Sequence, residues 1–162
     1  MERIFRDLKK GILKLKVTRL DDLWVLYLVL KKGDTVKSQT FRKIKVGDEE
    51  ARQKSQNIIK RSMTVSLEVE KVSFQGFSDV LRVSGTIIEA PEDIKKGSYH
   101  TLNIGVDSIL EIQKPWLKFE LEKVDDACSE KKSKILVCIL ERDQACFAFL
   151  KEYGYEYLSE IE

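Results

Sequence analysis

Residues 12 to 17, ILKLKV, alternate strictly: Leu13, Leu15 and Val17 fall on one side, and Ile12, Lys14 and Lys16 on the other. A period of two is that of a half-buried strand, and with Ile4 and Phe5 ahead of a turn at Lys10-Gly11 it predicts an opening hairpin. The period then changes. In TRLDDLWVLYLVLKKGD (18 to 34), Leu20, Leu23, Leu26 or Tyr27, and Leu30 share a helical face, while Trp24 and Leu28 widen the apolar surface. Thr18 is the expected N-cap, with Asp21 three residues on as an acidic capping box and Asp22 favouring the positive helix end. Lys31-Lys32-Gly33 is the expected stop.

Strand character returns at DTVKSQTFRKIKV (34 to 46), where neither side is fully apolar, so a curved or edge strand is expected. Residues 47 to 60, GDEEARQKSQNIIK, are mostly polar without a strong period and read as a long loop. MTVSLEVEKVSF (63 to 74) sets Val65, Leu67 and Val69 against Ser66, Glu68 and Glu70, and DVLRVSGTII (79 to 88) follows as a further strand. TLNIGVDSILEIQK (101 to 114) gives two short strands around Gly105 to Ser108. About seven short strands and one early helix suggest a small barrel rather than a parallel sheet. After Pro115, Leu117, Leu121, Val124 and Cys128 have the spacing of an amphipathic helix.

SEKKSK (129 to 134) is a charged break and the expected linker, giving a first domain over 1 to 128. Residues 135 to 162 hold two hydrophobic runs around Arg142-Asp143-Gln144, an expected hairpin. So few strands cannot bury a core alone, which makes this segment an extension of the first domain or the start of a second that stops at Glu162.

Composition narrows the function classes. The 162 residues are 43% hydrophobic and 35% charged, the mix of a soluble folded protein rather than a disordered one. No apolar run approaches the roughly 18 to 20 residues of a membrane span, and the charged start MERIFRDLKK lacks a signal-peptide core, so a cytoplasmic location is expected. Cys128, Cys138 and Cys146 have neither pairing number nor zinc spacing and read as reduced, mostly buried thiols. The net charge of +2 is uneven: residues 111 to 162 carry 8 basic and 12 acidic groups, which leaves 21 against 15 on residues 1 to 110. The basic excess therefore belongs to the N-terminal part, compatible with a polyanionic partner.

His100, in GSYHTLNIG, is the only histidine, and no nucleophile motif accompanies it, so it reads as one more strand side chain. No glycine-rich phosphate loop occurs. Asp21 and Asp22 are weak candidates for half of a metal-binding carboxylate cluster of the kind that cleaves phosphodiesters, though helix capping already accounts for them. More informative is the segment bearing Arg42, Lys43, Lys45, Arg52, Lys54, Lys60 and Arg61 against Asp48, Glu49 and Glu50. Cations in an extended polar stretch can follow a phosphate backbone, with Gln53, Gln56 and Asn57 as uncharged donors.

Five stretches together resemble the N-terminal domain of the pelota family, which is related to the class I translation release factors. These are LDDLWVLYLVLKKGD (20 to 34), TFRKI (40 to 44), the F-x-x-x-L-R-V-S-G run from Phe77 to Gly85, GSYHTL (97 to 102) and KPW (114 to 116). The tail KILVCILERDQACFAFL is similar to the first strands of that family's central domain. The resemblance implies a mainly β fold with α: a small Sm-like β-barrel with an early helix and a C-terminal amphipathic helix, then the start of an α/β central domain. It implies a monomeric factor of ribosome rescue and no-go mRNA decay, whose N-terminal domain occupies the decoding region of the A site, close to mRNA and the small subunit. Its further partners would be an elongation-factor 1-alpha-like GTPase and an ABC-type ribosome-splitting ATPase, with no membrane role. By the same resemblance, Arg42 to Arg61 faces RNA.

Occupancy of this kind requires no covalent chemistry and no cofactor. The resemblance also admits a second function, a divalent-metal-dependent endoribonuclease using acidic residues, for which Asp21 and Asp22 would be the positions. The third is a generic Sm-like RNA binder.

Overall fold

A computed structural model of the chain describes residues 1–46, 57–75, 79–91, 94–129, 135–151 and 154–161, and for residues 42–46, 57–61 and 75 the backbone alone. The order is β1 (Glu2–Asp7), β2 (Ile12–Lys16), α1 (Leu20–Val29), β3 (Thr35–Val46), β4 (Asn57–Gln75), β5 (Val80–Glu89), β6 (Tyr99–Ile104), β7 (Ile109–Gln113) and α2 (Lys118–Cys128). After these come β8 (Ile135–Leu140), β9 (Ala145–Lys151) and β10 (Gly154–Ile161).

The first seven strands form one antiparallel sheet in the order β1-β2-β7-β3-β4-β5-β6. The sheet is strongly coiled. Consecutive strands β6 and β7 stand four places apart in it, yet a tight turn joins them, with the Ser108 amide donating to the Gly105 carbonyl at 3.2 Å. A turn of that kind brings its ends within about 7 Å, which a flat sheet with strands about 4.8 Å apart would not permit.

The expected Sm-like barrel is nonetheless not formed, because the sheet stays open: β1 pairs only with β2, and β6 only with β5. Closure requires the two edge strands to share a ladder. Here β1 is tied instead to α2, with Arg3 and Arg6 both pairing with Asp125. Alternation along one strand reveals its buried face but not whether its far neighbour pairs, and this is where the sequence-based expectation fails.

The concave side of the sheet and α1 enclose the core. The alternation read from sequence holds, with Leu13, Leu15 and Val17, then Val65, Leu67 and Val69, all essentially inaccessible. From α1, Leu23, Leu26 and Val29 fill the centre, while Tyr27 and Leu28 are exposed. Leu81, Val83, Leu102, Ile104, Leu110 and Ile112 complete it. Fully burying each such side chain stabilises by roughly 1.5–3 kcal/mol.

Two glycines mark close approaches. A Cβ at Gly85 would lie 1.9 Å from the Glu68 carbonyl oxygen, beside the bulge between Val69 and Lys71 that bends β4. Gly11, at φ +69°, brings its backbone against Lys114 and accepts a hydrogen bond from the Trp116 indole at 2.9 Å. The glycine of the L-R-V-S-G run and the lysine and tryptophan of KPW therefore mark contact points of the fold.

The helix ends differ from expectation by a residue or two. Arg19, not Thr18, is the N-cap of α1, and the capping acid is Asp22, whose Oδ2 accepts from the Arg19 amide at 3.0 Å. The helix stops at Val29, before the Lys31-Lys32-Gly33 signal. In α2, Leu117 is the N-cap and Pro115 lies just before the first turn, as the sequence indicated.

The hairpin expected around Arg142-Asp143-Gln144 is present as β8 and β9, and β10 adds a third antiparallel strand. This small sheet is largely uncovered, and Cys138 on it is exposed rather than buried.

Candidate nucleic-acid interface

The segment expected to be a basic loop is largely a β-ribbon. β3 pairs with β7 only from Thr35 to Ser38, and β4 pairs with β5 only from Ser66 onward. Beyond those limits the two strands have only each other, through eight register pairs from Gln39↔Thr64 to Val46↔Asn57. At about 3.3 Å per residue, the eight residues of each strand make an arm of roughly 26 Å. β3 is therefore a central strand at its root and an edge strand beyond Ser38, which explains why neither of its sides reads as fully apolar.

Register concentrates charge on this arm. Arg42 lies directly opposite Arg61, and Lys43 opposite Lys60, with Lys45 across from Ile58. These five basic residues share the arm with no acidic residue from 39 to 46 or 57 to 64. Like charges directly opposite on a sheet are destabilising, so this arrangement is poor for the hairpin by itself and suited to a neutralising polyanion. Arg52 and Lys54, together with Asp48, Glu49 and Glu50, lie outside the described residues.

Alternation sorts the arm into two faces. Thr40, Arg42 and Arg61 continue the face that is buried lower down at Val36, Ser38, Met63 and Val65. Phe41, Lys43, Lys45, Lys60 and Ser62 continue the outer face. The root of the arm meets the sheet edge at His100 of β6, whose Nε2 lies 3.3 Å from Thr40 Oγ1. His100 is half-buried and directly opposite Gly85, the strand position that the sequence indicated.

Asp21 and Asp22 are far from a shared task. Asp22 is fully buried, and its Oδ2 accepts from the Thr18 amide and hydroxyl at 2.8 and 2.9 Å while pairing with the Met1 amine at 2.8 Å. Burial pushes its carboxyl up, but the bonds and charge from the Met1 amine and Thr18 outweigh this and hold it below the ordinary range. Among the described residues no group of three or more His, Cys, Asp or Glu side chains is placed to hold a metal ion. Asp22 is thus committed to the helix cap, with its Oδ2 occupied by Thr18, Arg19 and Met1.

A second buried polar cluster was not anticipated from sequence. Lys114 Nζ donates to the Val29 carbonyl at 2.5 Å, at the C-terminal end of α1, and pairs with Asp34 at 3.2 Å and Glu120 at 3.1 Å. Glu120 also caps α2, accepting from the Leu117 amide at 3.2 Å. Burial raises its pKa, and Lys31, the Leu117 amide and Lys114 together bring it below the ordinary value. Only the KPW lysine could have signalled this cluster, since Asp34 lies 80 residues before it in the chain.

The chain is thus an antiparallel β domain with two short helices and a projecting basic arm, and comparison with known proteins supplies the family. The family model described as the pelota N-terminal domain matches residues 1–128. The protein pelota homolog of Sulfolobus acidocaldarius is 38% identical over 158 residues, covering 96% of this chain and 43% of that protein. The crystal structure of the Thermoplasma acidophilum Pelota protein superposes with a TM-score of 0.75 at 20% identity, over 99% of this chain and 44% of that one, a likeness of fold. A model of ribosome-bound archaeal Pelota and ABCE1 matches at 32% identity and a TM-score of 0.66, over 99% of this chain and 45% of that one. The chain belongs to the pelota family, and it spans less than half the length of these relatives.

Proposed function

We propose that this chain is the RNA- and ribosome-binding part of a pelota-type factor of mRNA surveillance and ribosome rescue, acting by occupying the decoding region of a stalled ribosome. The observation that carries this reading is the β3–β4 arm, with Arg42 opposite Arg61 and Lys43 opposite Lys60, and no acid among its described residues. Lys45 belongs to the same set, as do Arg52 and Lys54 by sequence. A relative at 32% identity occurs in a ribosome-bound assembly with ABCE1, which supports a ribosomal site and an ABC-type ATPase as partner. An elongation-factor 1-alpha-like GTPase would act on the full-length factor, in the cytoplasm. Among the described residues no helix is long and apolar enough to cross a membrane.

The uncovered sheet of β8 to β10 supports assigning residues 135 to 162 to a central domain, with 129 to 134 as linker after a domain of 1 to 128. Three strands with exposed faces need further chain to bury them.

Replacing Lys43, Lys45, Lys60 and Arg61 together by Glu tests the site. Affinity for RNA and for the small subunit should fall, and the dependence of log K on log salt should flatten by about 0.7 per lost contact to single-stranded phosphate. Unchanged affinity and slope would overturn the assignment.

A further inference from the structure

Phe41 is 69% exposed, more than any other large hydrophobic side chain among the described residues of 1 to 129. It stands on the outer face of the arm, where the uncharged root gives way to the basic tip. Across the ladder its partner is Ser62, too small to cover a phenyl ring. The positions around it on that face are Gln39, Lys43, Lys60, Ser62 and Thr64, all polar or basic. A protein-docking patch would gather apolar neighbours around such a ring, and these ladder positions supply none. A lone aromatic face set among cations is instead what an unpaired nucleotide requires, the base stacking on the ring while lysines meet its phosphates.

We propose that Phe41 is a stacking platform for one unpaired RNA base, with Lys43 and Lys60, the next register pair on the same face, available to the adjoining phosphates. This rests on the assignment of the arm to RNA and adds to it the strandedness of the ligand: single-stranded RNA, read by stacking, without base-edge specificity. A double helix keeps its bases stacked internally and offers the ring nothing.

The test uses the whole chain with a short single-stranded RNA, the same RNA carrying abasic positions, and an RNA duplex. Phe41→Ala should weaken binding of the single strand about tenfold and leave the salt slope unaltered. Phe41→Trp should retain affinity, and neither change should matter for the duplex or for RNA abasic throughout the bound stretch. Because the ring is exposed, the thermal midpoint of both variants should match that of the parent. Phe41→Ala binding the single strand within twofold of the parent would overturn the platform, as would an equal loss on abasic RNA. So would a loss confined to protein partners, which would give the ring to a protein contact. The fourfold Glu variant measured alongside separates the two claims: if it loses affinity while Phe41→Ala does not, only the stacking fails. If it binds as the parent does, the arm itself is not the RNA site.

Discussion

Two regions of this molecule hold concentrated charge and use it in opposite ways. At the junction of α1 and α2, Lys114, Asp34 and Glu120 are buried and matched, the lysine set against two carboxylates and the Val29 carbonyl within 3.2 Å. On the β3–β4 arm, four of five basic residues stand opposite one another in register, Arg42 against Arg61 and Lys43 against Lys60. Charge satisfied within the fold holds elements together. Charge left unbalanced beyond the core is available to something outside it. The comparison also separates Asp22 from the basic residues: Asp22 is committed to the helix start, whereas the arm gathers cations with no acid on its own register pairs.

The largest predicted effect is in the buried cluster. Lys114→Met should destabilise the fold by about 3–5 kcal/mol in urea titration, since it leaves Asp34 and the Val29 carbonyl without their buried cation and Glu120 with Lys31 alone. A loss under 1 kcal/mol would mean that this cluster is no more structural than the arm.

Acid should act on the same side of the comparison. Asp22 and Glu120 both titrate below their ordinary values, so the folded state holds their protons less tightly than the unfolded chain. Their contribution is complete above the ordinary carboxylate pKa of ~4 and is lost as pH falls through the folded values. Asp22→Asn should therefore lower stability at neutral pH and flatten the acid limb of the stability profile. A limb of unchanged steepness would remove Asp22 from the structural group.

The arm should respond in the reverse sense. The fourfold Glu variant that impairs RNA binding should keep its unfolding midpoint, with a change within about 0.5 kcal/mol, as is usual for surface sites. Smallest of all, Arg61→Glu alone places an acid opposite Arg42 and should stabilise the hairpin by a few tenths of a kcal/mol, read as slower amide exchange in β3 and β4. Faster exchange would show that the two arginines do not repel in the free protein.

Much of this was legible in the sequence because it depends on local period. Leu13-Leu15-Val17 and Val65-Leu67-Val69 declared their buried faces, α1 its apolar surface, and Arg142-Asp143-Gln144 its turn. The five stretches that resemble the pelota family are accounted for in part by contact points: Gly85 beneath a bulge, Lys114 and Trp116 against α1 and Gly11. The basic residues of the candidate site were legible too, as residue types in a run. Their arrangement was not. Residues 57 to 62 lack a strong alternation, and only the register with 41 to 46 makes a ribbon of what reads as a loop.

Composition and period thus determined by themselves most of the strands, the two helices and where the basic charge lies, since these follow from nearest neighbours along the chain. Tertiary structure alone decided that the sheet coils but stays open, because closure depends on whether β1 and β6, nearly a hundred residues apart, share a ladder. It alone set arginine opposite arginine and left Phe41 uncovered, because cross-strand partners are fixed by pairing in space, and the sequence carries no mark of which residue will face which.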